Sequence, residues 1–160
     1  MNKILLIITG SIAASRCKEI IALLNINEVK ISCILTKEAK KYIKISDIKK
    51  LLKDRIFTDE DEKKNKMLHI NLSRDNDIIV MCPATANSIA KFANGYGDNL
   101  ASNTLLAANK KILFVPAMNS FMWHNKINQK NVRLLKDSGH EFIGPTVGNL
   151  KCGEFGLGRI

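Results

Sequence analysis

Long apolar runs are missing from this chain. None approaches the roughly 18 residues a membrane-spanning helix needs, so no membrane partner is expected. The start, Met1 to Ile8, has one Lys and a short apolar run, but no small-residue cleavage site follows. It leads into a Gly-Ser turn and reads as a core strand rather than a signal peptide. Cysteine is sparse. Cys17, Cys33, Cys82 and Cys152 show no CxxC spacing, which argues against zinc, and no metal is expected. With no secretory feature in a chain of this size, a disulfide framework is not expected either, and the expected location is cytoplasmic. Aromatics are 6% of the residues. The Lys-rich stretch from Lys37 to Lys66 holds only Tyr42 and Phe57, too few for the stacking platform of a nucleic-acid binder. Neither GxGxxG nor GxxxxGK[ST] occurs, so the dinucleotide and P-loop fingerprints are absent.

What is present fits one globular unit. The 160 residues suit a single domain with a full core, and the 46% hydrophobic content is near the globular norm. No repeat, linker or second domain is evident. The formal charge of +10 favours acidic ligands, a phosphorylated one included. The lysines between Lys37 and Lys66 alternate with Asp and Glu and read as a solvated face.

Strand and helix signals alternate. Lys3–Thr9 is a continuous apolar run, as in a strand covered on both faces. Ser11 is placed to cap a helix running to about Asn25, and Val29–Leu35 reads as a second strand. Two short helices are expected in Thr36–Leu52, the second opened by Ser46-Asp47, and a polar exposed loop in Asp59–Lys66. Further strands are expected at Asp77–Cys82, ended by Pro83, at Lys111–Val115, ended by Pro116, and at His140–Ile143. Helices are expected at Ala86–Ala93, Leu100–Ala108 and about Lys126–Ser138. From Gly144 onward an irregular segment is expected. This alternation predicts an α/β fold: an open parallel sheet with helices on both faces. Ligands then bind beyond the carboxyl ends of the strands, where strand order reverses.

The marked residues fall at those ends. ITGSIAA (8–14) offers Gly10, Ser11 and free N–H groups at a helix start, the elements of a phosphate site. PATANS (83–88) offers Thr85, Asn87 and Ser88, and PAMN (116–119) offers Asn119, which can both donate and accept. Each also has an ordinary reading as a helix cap or turn. His69, alone among apolar residues, reads by itself as structural, as do His124 and His140. Gly153, Gly156 and Gly158 imply a mobile flap, and Cys152 within it is either a reactive thiol or an incidental surface one. The other three cysteines read as core thiols.

In order, ITGSIAA, the His of LHINL, PATANSIAKFANGYGDNLASNTLLA, PAMNSFMWHN and KCGEFGLGRI are spread from Ile8 to Ile160. Together they resemble the flavin-containing cysteine decarboxylases, and PAMN followed by the Cys-containing flap resembles the phosphopantothenoylcysteine decarboxylase type. The resemblance implies a single-domain Rossmann-like, flavodoxin-like flavoprotein that binds FMN and assembles as a trimer or as trimers of higher order. It implies FMN contacts at Gly10, Ser11, Ile12, Thr36, Thr85, Ala86, Asn87, Ser88 and Ala117. It implies catalytic roles for His69, Asn119 and Cys152, with Lys151, Arg159 and Ile160 facing the substrate alongside Asn119. The implied reaction turns 4′-phosphopantothenoylcysteine into 4′-phosphopantetheine in coenzyme A biosynthesis. The thiol carbon is oxidised to a thioaldehyde, CO2 leaves, and the enethiol is reduced again, with a proton from Cys152.

Lys151 stands where the family usually has Ala. The chain ends after the flap, so a fused ligase domain is not expected, and a separate phosphopantothenoylcysteine synthetase is the expected source of substrate. Two other readings share the motifs. One is a peptidyl-cysteine decarboxylase of the lantibiotic type, against which Cys152 and its glycines argue. The other is a non-catalytic regulatory subunit on the same fold, against which the filled His, Asn and Cys positions argue.

Overall fold

The computed structural model describes residues 2–27, 29–151 and 153–160. Cys152 therefore lies outside the described residues. Six strands form one parallel sheet: β1 (Lys3–Ile8), β2 (Lys30–Leu35), β3 (Ile56–Phe57), β4 (Ile78–Ala84), β5 (Ile112–Pro116) and β6 (Glu141–Phe142). Their order is β3-β2-β1-β4-β5-β6, with every neighbouring pair parallel. The chain winds outward from β1 to β3, then crosses back to lay β4 on the other side of β1. The switch point thus lies between β1 and β4.

The strand sequences are apolar on both sides because both faces are covered. Leu5, Ile7, Ile79, Met81, Ile112 and Phe114 point to one face. There they meet α4 (Leu68–Asp75), α5 (Ala86–Ala93), α6 (Leu100–Leu106) and α8 (Lys126–Asp137). Leu6, Ile8, Ile31, Cys33 and Leu35 point to the other, against α1 (Cys17–Ile26) and α2 (Ile45–Leu52). Each fully buried Leu or Ile contributes on the order of 1.5–3 kcal/mol, which makes the central strands a stiff platform for the loops at their ends.

Several expectations need correction. The helix after Ser11 is not continuous: a 3-10 turn over Ile12–Arg16 precedes α1. The second helix of the 36–52 stretch begins at Ile45, so Ser46 and Asp47 lie in its first turn and do not cap it. Asp59–Lys66 is not a loop. It contains α3 (Asp59–Lys64), whose start is fixed by Asp61, which accepts from Thr58 N at 2.8 Å and from Thr58 Oγ1 at 3.0 Å. Four acidic residues in its first turn and two lysines in its last complement the helix dipole. Strand β4 does not stop before Pro83 but runs through it to Ala84. α7 (Ser120–His124) was not anticipated. The tail is not irregular: β7 (Thr146–Asn149) and β8 (Phe155–Arg159) form an antiparallel hairpin. No helix among the described residues is long and apolar enough to cross a membrane.

Candidate active site

Two cavities open at the carboxyl edge of the sheet and share Ser11, Ala117 and Met118. The first, of about 440 Å³, sits over the β1/β4 switch point. Gly10, Ser11, Thr36, Thr85, Ala86, Asn87, Ser88 and Ala117 all line it. Each is held by a local device. Ser11 Oγ accepts from Ala13 N at 3.3 Å at the 3-10 start. Thr85 caps α5, accepting from Ser88 N at 3.1 Å, with the two hydroxyls 2.9 Å apart. Thr36 Oγ1 donates to Ile8 O at 3.2 Å, tying the β2 end to β1. Thr9 Oγ1 donates to Pro83 O at 2.6 Å, locking the two sides of the switch point together. At Gly10 the chain passes so close to the next turn that a Cβ would sit 2.4 Å from Glu38 Cβ. Only glycine permits that approach.

The residues present fit a flavin nucleotide. The first turn of α5, Ala86 to Ser88, lines this cavity, and the free N–H groups of a helix start are the chemistry that receives a phosphate. Ala86, Ala117, Met118, Met122 and Tyr42 supply apolar and aromatic wall for a planar ring. Lys37, Tyr42, Met118 and Met122 were not picked out from sequence. Lys37 was within reach of it, since it directly follows Thr36 at a strand end.

The second cavity, of about 570 Å³, is lined by Ile12, Asn119, Lys151, Arg159 and Ile160, and also by Arg16. Arg16 was missed; it closes the 3-10 turn that begins at Ile12. Asn119 is the N-cap of α7. Its Oδ1 accepts from Phe121 N at 2.8 Å and Met122 N at 3.4 Å, which fixes the amide plane. Its Nδ2 donates to Glu154 Oε2.

The hairpin carrying Glu154 is docked rather than loose. Met118 N donates to Gly158 O at 3.1 Å. A Cβ on Gly158 would lie 2.1 Å from Met118 O, so Gly158 serves close packing between hairpin and sheet edge.

His69 lines neither cavity. It lies on α4, with Nδ1 2.8 Å from Glu62 Oε1 of α3 but without the alignment of a hydrogen bond. Its side chain is 26% exposed. The fold of the single chain, then, brings Asn119 together with the expected cofactor residues and leaves His69 outside. His124 and His140 are structural: His124 Nδ1 lies 2.8 Å from Ser120 O, and His140 Nδ1 accepts from Ile112 N at 3.3 Å. Cys17, Cys33 and Cys82 are buried free thiols. No cluster of metal-ligating side chains occurs among the described residues.

The Flavoprotein family profile matches residues 1–160. The chain is similar to the probable phosphopantothenoylcysteine decarboxylase of Streptococcus mutans, with 32% identity over 163 residues, 99% of this chain and 91% of that one. It is 32% identical over 161 residues to the coenzyme A biosynthesis bifunctional protein CoaBC of Bacillus subtilis, of which it spans 40%. Among solved structures, a Cys-to-Ser mutant of PPC decarboxylase complexed with pantothenoylaminoethenethiol superposes with a TM-score of 0.88 at 29% identity, covering 99% of this chain and 90% of that one. The FMN-dependent cysteine decarboxylase SpaF gives 0.87 at 28%, with the same coverage.

Proposed function

This chain belongs to the flavoprotein family, among the phosphopantothenoylcysteine decarboxylases, and from that premise we propose that it converts 4′-phosphopantothenoylcysteine to 4′-phosphopantetheine with FMN as cofactor. The observation that carries this reading is the junction of the two cavities. One fits the flavin and the other holds a fixed carboxylate donor, and they meet at Ser11, Ala117 and Met118.

Gly10, Ser11, Thr36, Thr85, Ala86, Asn87, Ser88 and Ala117, with Ile12 from the adjoining second cavity, would hold FMN, which when bound supplies a reversible two-electron sink for the carbon bearing the thiol. Asn119 Nδ2 binds the substrate carboxylate and turns it so that the breaking C–C bond aligns with the π system of the oxidised substrate. Arg16, Lys151 and Arg159, all on the second cavity, offer cationic partners for the substrate phosphate. Ile160 packs against the substrate chain. The docked hairpin excludes water from the intermediate. Cys152, outside the described residues, protonates the enethiol product of CO2 loss.

His69 moves a proton at the substrate thiol. Because it lines neither cavity of its own protomer, a neighbouring copy delivers it, in a trimer or an assembly of trimers. Exposed Phe121, Met122, Tyr42 and Ile127 provide apolar surface for such contacts. The protein works in the cytoplasm, residues 144–160 forming the flap. A phosphopantothenoylcysteine synthetase supplies its substrate.

The rival substrate, a peptide ending in cysteine, lacks a phosphate for the cations of the second cavity. Purified protein is given either 4′-phosphopantothenoylcysteine or a cysteine-ended peptide, and products are read by mass spectrometry. Loss of CO2 from the first and not the second is expected. The reverse preference would refute the substrate assignment.

A further inference from the structure

Glu154 immediately precedes β8, the strand that packs against residues 118–120. Its carboxylate accepts from Asn119 Nδ2. The same amide is clamped through Oδ1 by two N–H groups of α7, so it cannot turn to offer a donor elsewhere. The one side-chain donor assigned to the substrate carboxylate is thus engaged by a carboxylate of the chain itself.

We propose that Glu154 is an internal competitor for the substrate carboxylate. With the flap docked and no substrate present, it fills the Asn119 position; substrate binding exchanges one carboxylate for another. This inference rests on the substrate reading given above. The amide nitrogen carries two N–H groups, but two carboxylates crowded on one nitrogen repel strongly in a partly desolvated site. The exchange loses and regains the same kind of charge-assisted hydrogen bond, so it is close to balanced by itself. A ligand bearing only a carboxylate gains nothing by it. A ligand that also anchors on Arg16, Lys151 and Arg159 can drive it. After CO2 leaves, the substrate carboxylate is gone, and Glu154 returns to Asn119 as product departs. Glu154 is therefore a specificity-determining residue.

The hairpin does not need this side chain for its own closure. Leu150 N donates to the backbone carbonyl of Glu154 at 2.7 Å, and Met118 N to that of Gly158 at 3.1 Å. Glu154 variants should keep the flap fold.

The test uses FMN-loaded, assembled protein and two unreactive ligands. One is 4′-phosphopantothenoyl-alanine, which has the carboxylate and no thiol. The other is the matching ethylamide, which has neither. Binding is measured by titration calorimetry to wild type, Glu154→Gln and Glu154→Ala. Removing the competitor tightens the alanine ligand about three- to tenfold, the scale of one hydrogen bond, and changes the ethylamide less than about twofold. Unchanged or weaker binding of the alanine ligand, or equal tightening of both, overturns the proposal. Turnover of 4′-phosphopantothenoylcysteine by wild type is measured in parallel. Failure there sinks the substrate reading and this inference together, whereas normal turnover without the ligand difference sinks this inference alone.

Discussion

Asn119 combines two jobs in one side chain, and a substitution can separate them. Asp in its place keeps an oxygen to cap α7, so the fold should survive. It loses the Nδ2 donor and repels both Glu154 and a substrate carboxylate. Asn119→Asp should keep wild-type flavin content while turnover falls on the order of 100-fold or more, the cost of misplaced reacting groups. Turnover within a few-fold of wild type would remove Asn119 from the site. His140 gives a pH signature of stability. Burial against Phe92 and Phe114 holds its pKa below the ordinary 6.5, and its Nδ1 must stay unprotonated to accept from Ile112 N. The unfolded chain takes up the proton first as pH falls. Stability from this group is therefore full above about 6.5 and declines below it. His140→Gln should flatten the fall in Tm between neutral pH and about pH 5; an identical fall in both proteins would contradict this. Burial also pushes the Cys33 thiol up to about 12, so alkylating reagents at mild alkaline pH should spare it in the native protein.

At the scale of elements, the parts that were legible in the sequence share one property: their burial pattern is local. The apolar runs of β1, β2, β4 and β5 announce strands covered on both faces, and the polar turns after them announce the site. α3 was not legible because it buries none of its residues and shows no apolar period. Its signal was the Thr58–Asp61 spacing of a capping box and the acid-to-basic run that follows. Thr58→Ala should cost about 0.5–2 kcal/mol, loosening the helix that sets Glu62 beside His69, and denaturant titration would measure it. The docking of the tail was not legible for a related reason. Glycine-rich sequence signals freedom of the backbone, and only the fold shows that at Gly158 the missing side chain admits the backbone of Met118. Gly158→Ala should undock β8 and lower turnover at least tenfold, on the scale of a displaced catalytic segment, while the six-stranded core melts nearly as before. Normal turnover in that variant would show that hairpin docking is dispensable.

At the scale of the whole molecule, the sequence placed most of the proposed site at one sheet edge, since each motif follows a strand that the topology lines up. It said nothing of where His69 sits relative to Asn119, because that depends on how α4 and α7 are carried on the finished fold. Delivery of His69 by a neighbouring copy makes a quantitative expectation. An equal mixture of His69→Asn and Asn119→Asp chains, allowed to exchange subunits, should regain about a quarter of wild-type activity, because one interface in four joins an intact His69 to an intact Asn119. No recovery would put both residues in one protomer's site. The central claim is that the cavity at the β1/β4 switch point seats FMN. Flavin-stripped, reassembled protein is titrated with FMN and followed by absorbance and calorimetry. Saturable binding of one FMN per chain, lost when Gly10→Ala pushes a methyl group into Glu38, is the result expected. An assembled wild-type protein that takes up no FMN would contradict the account.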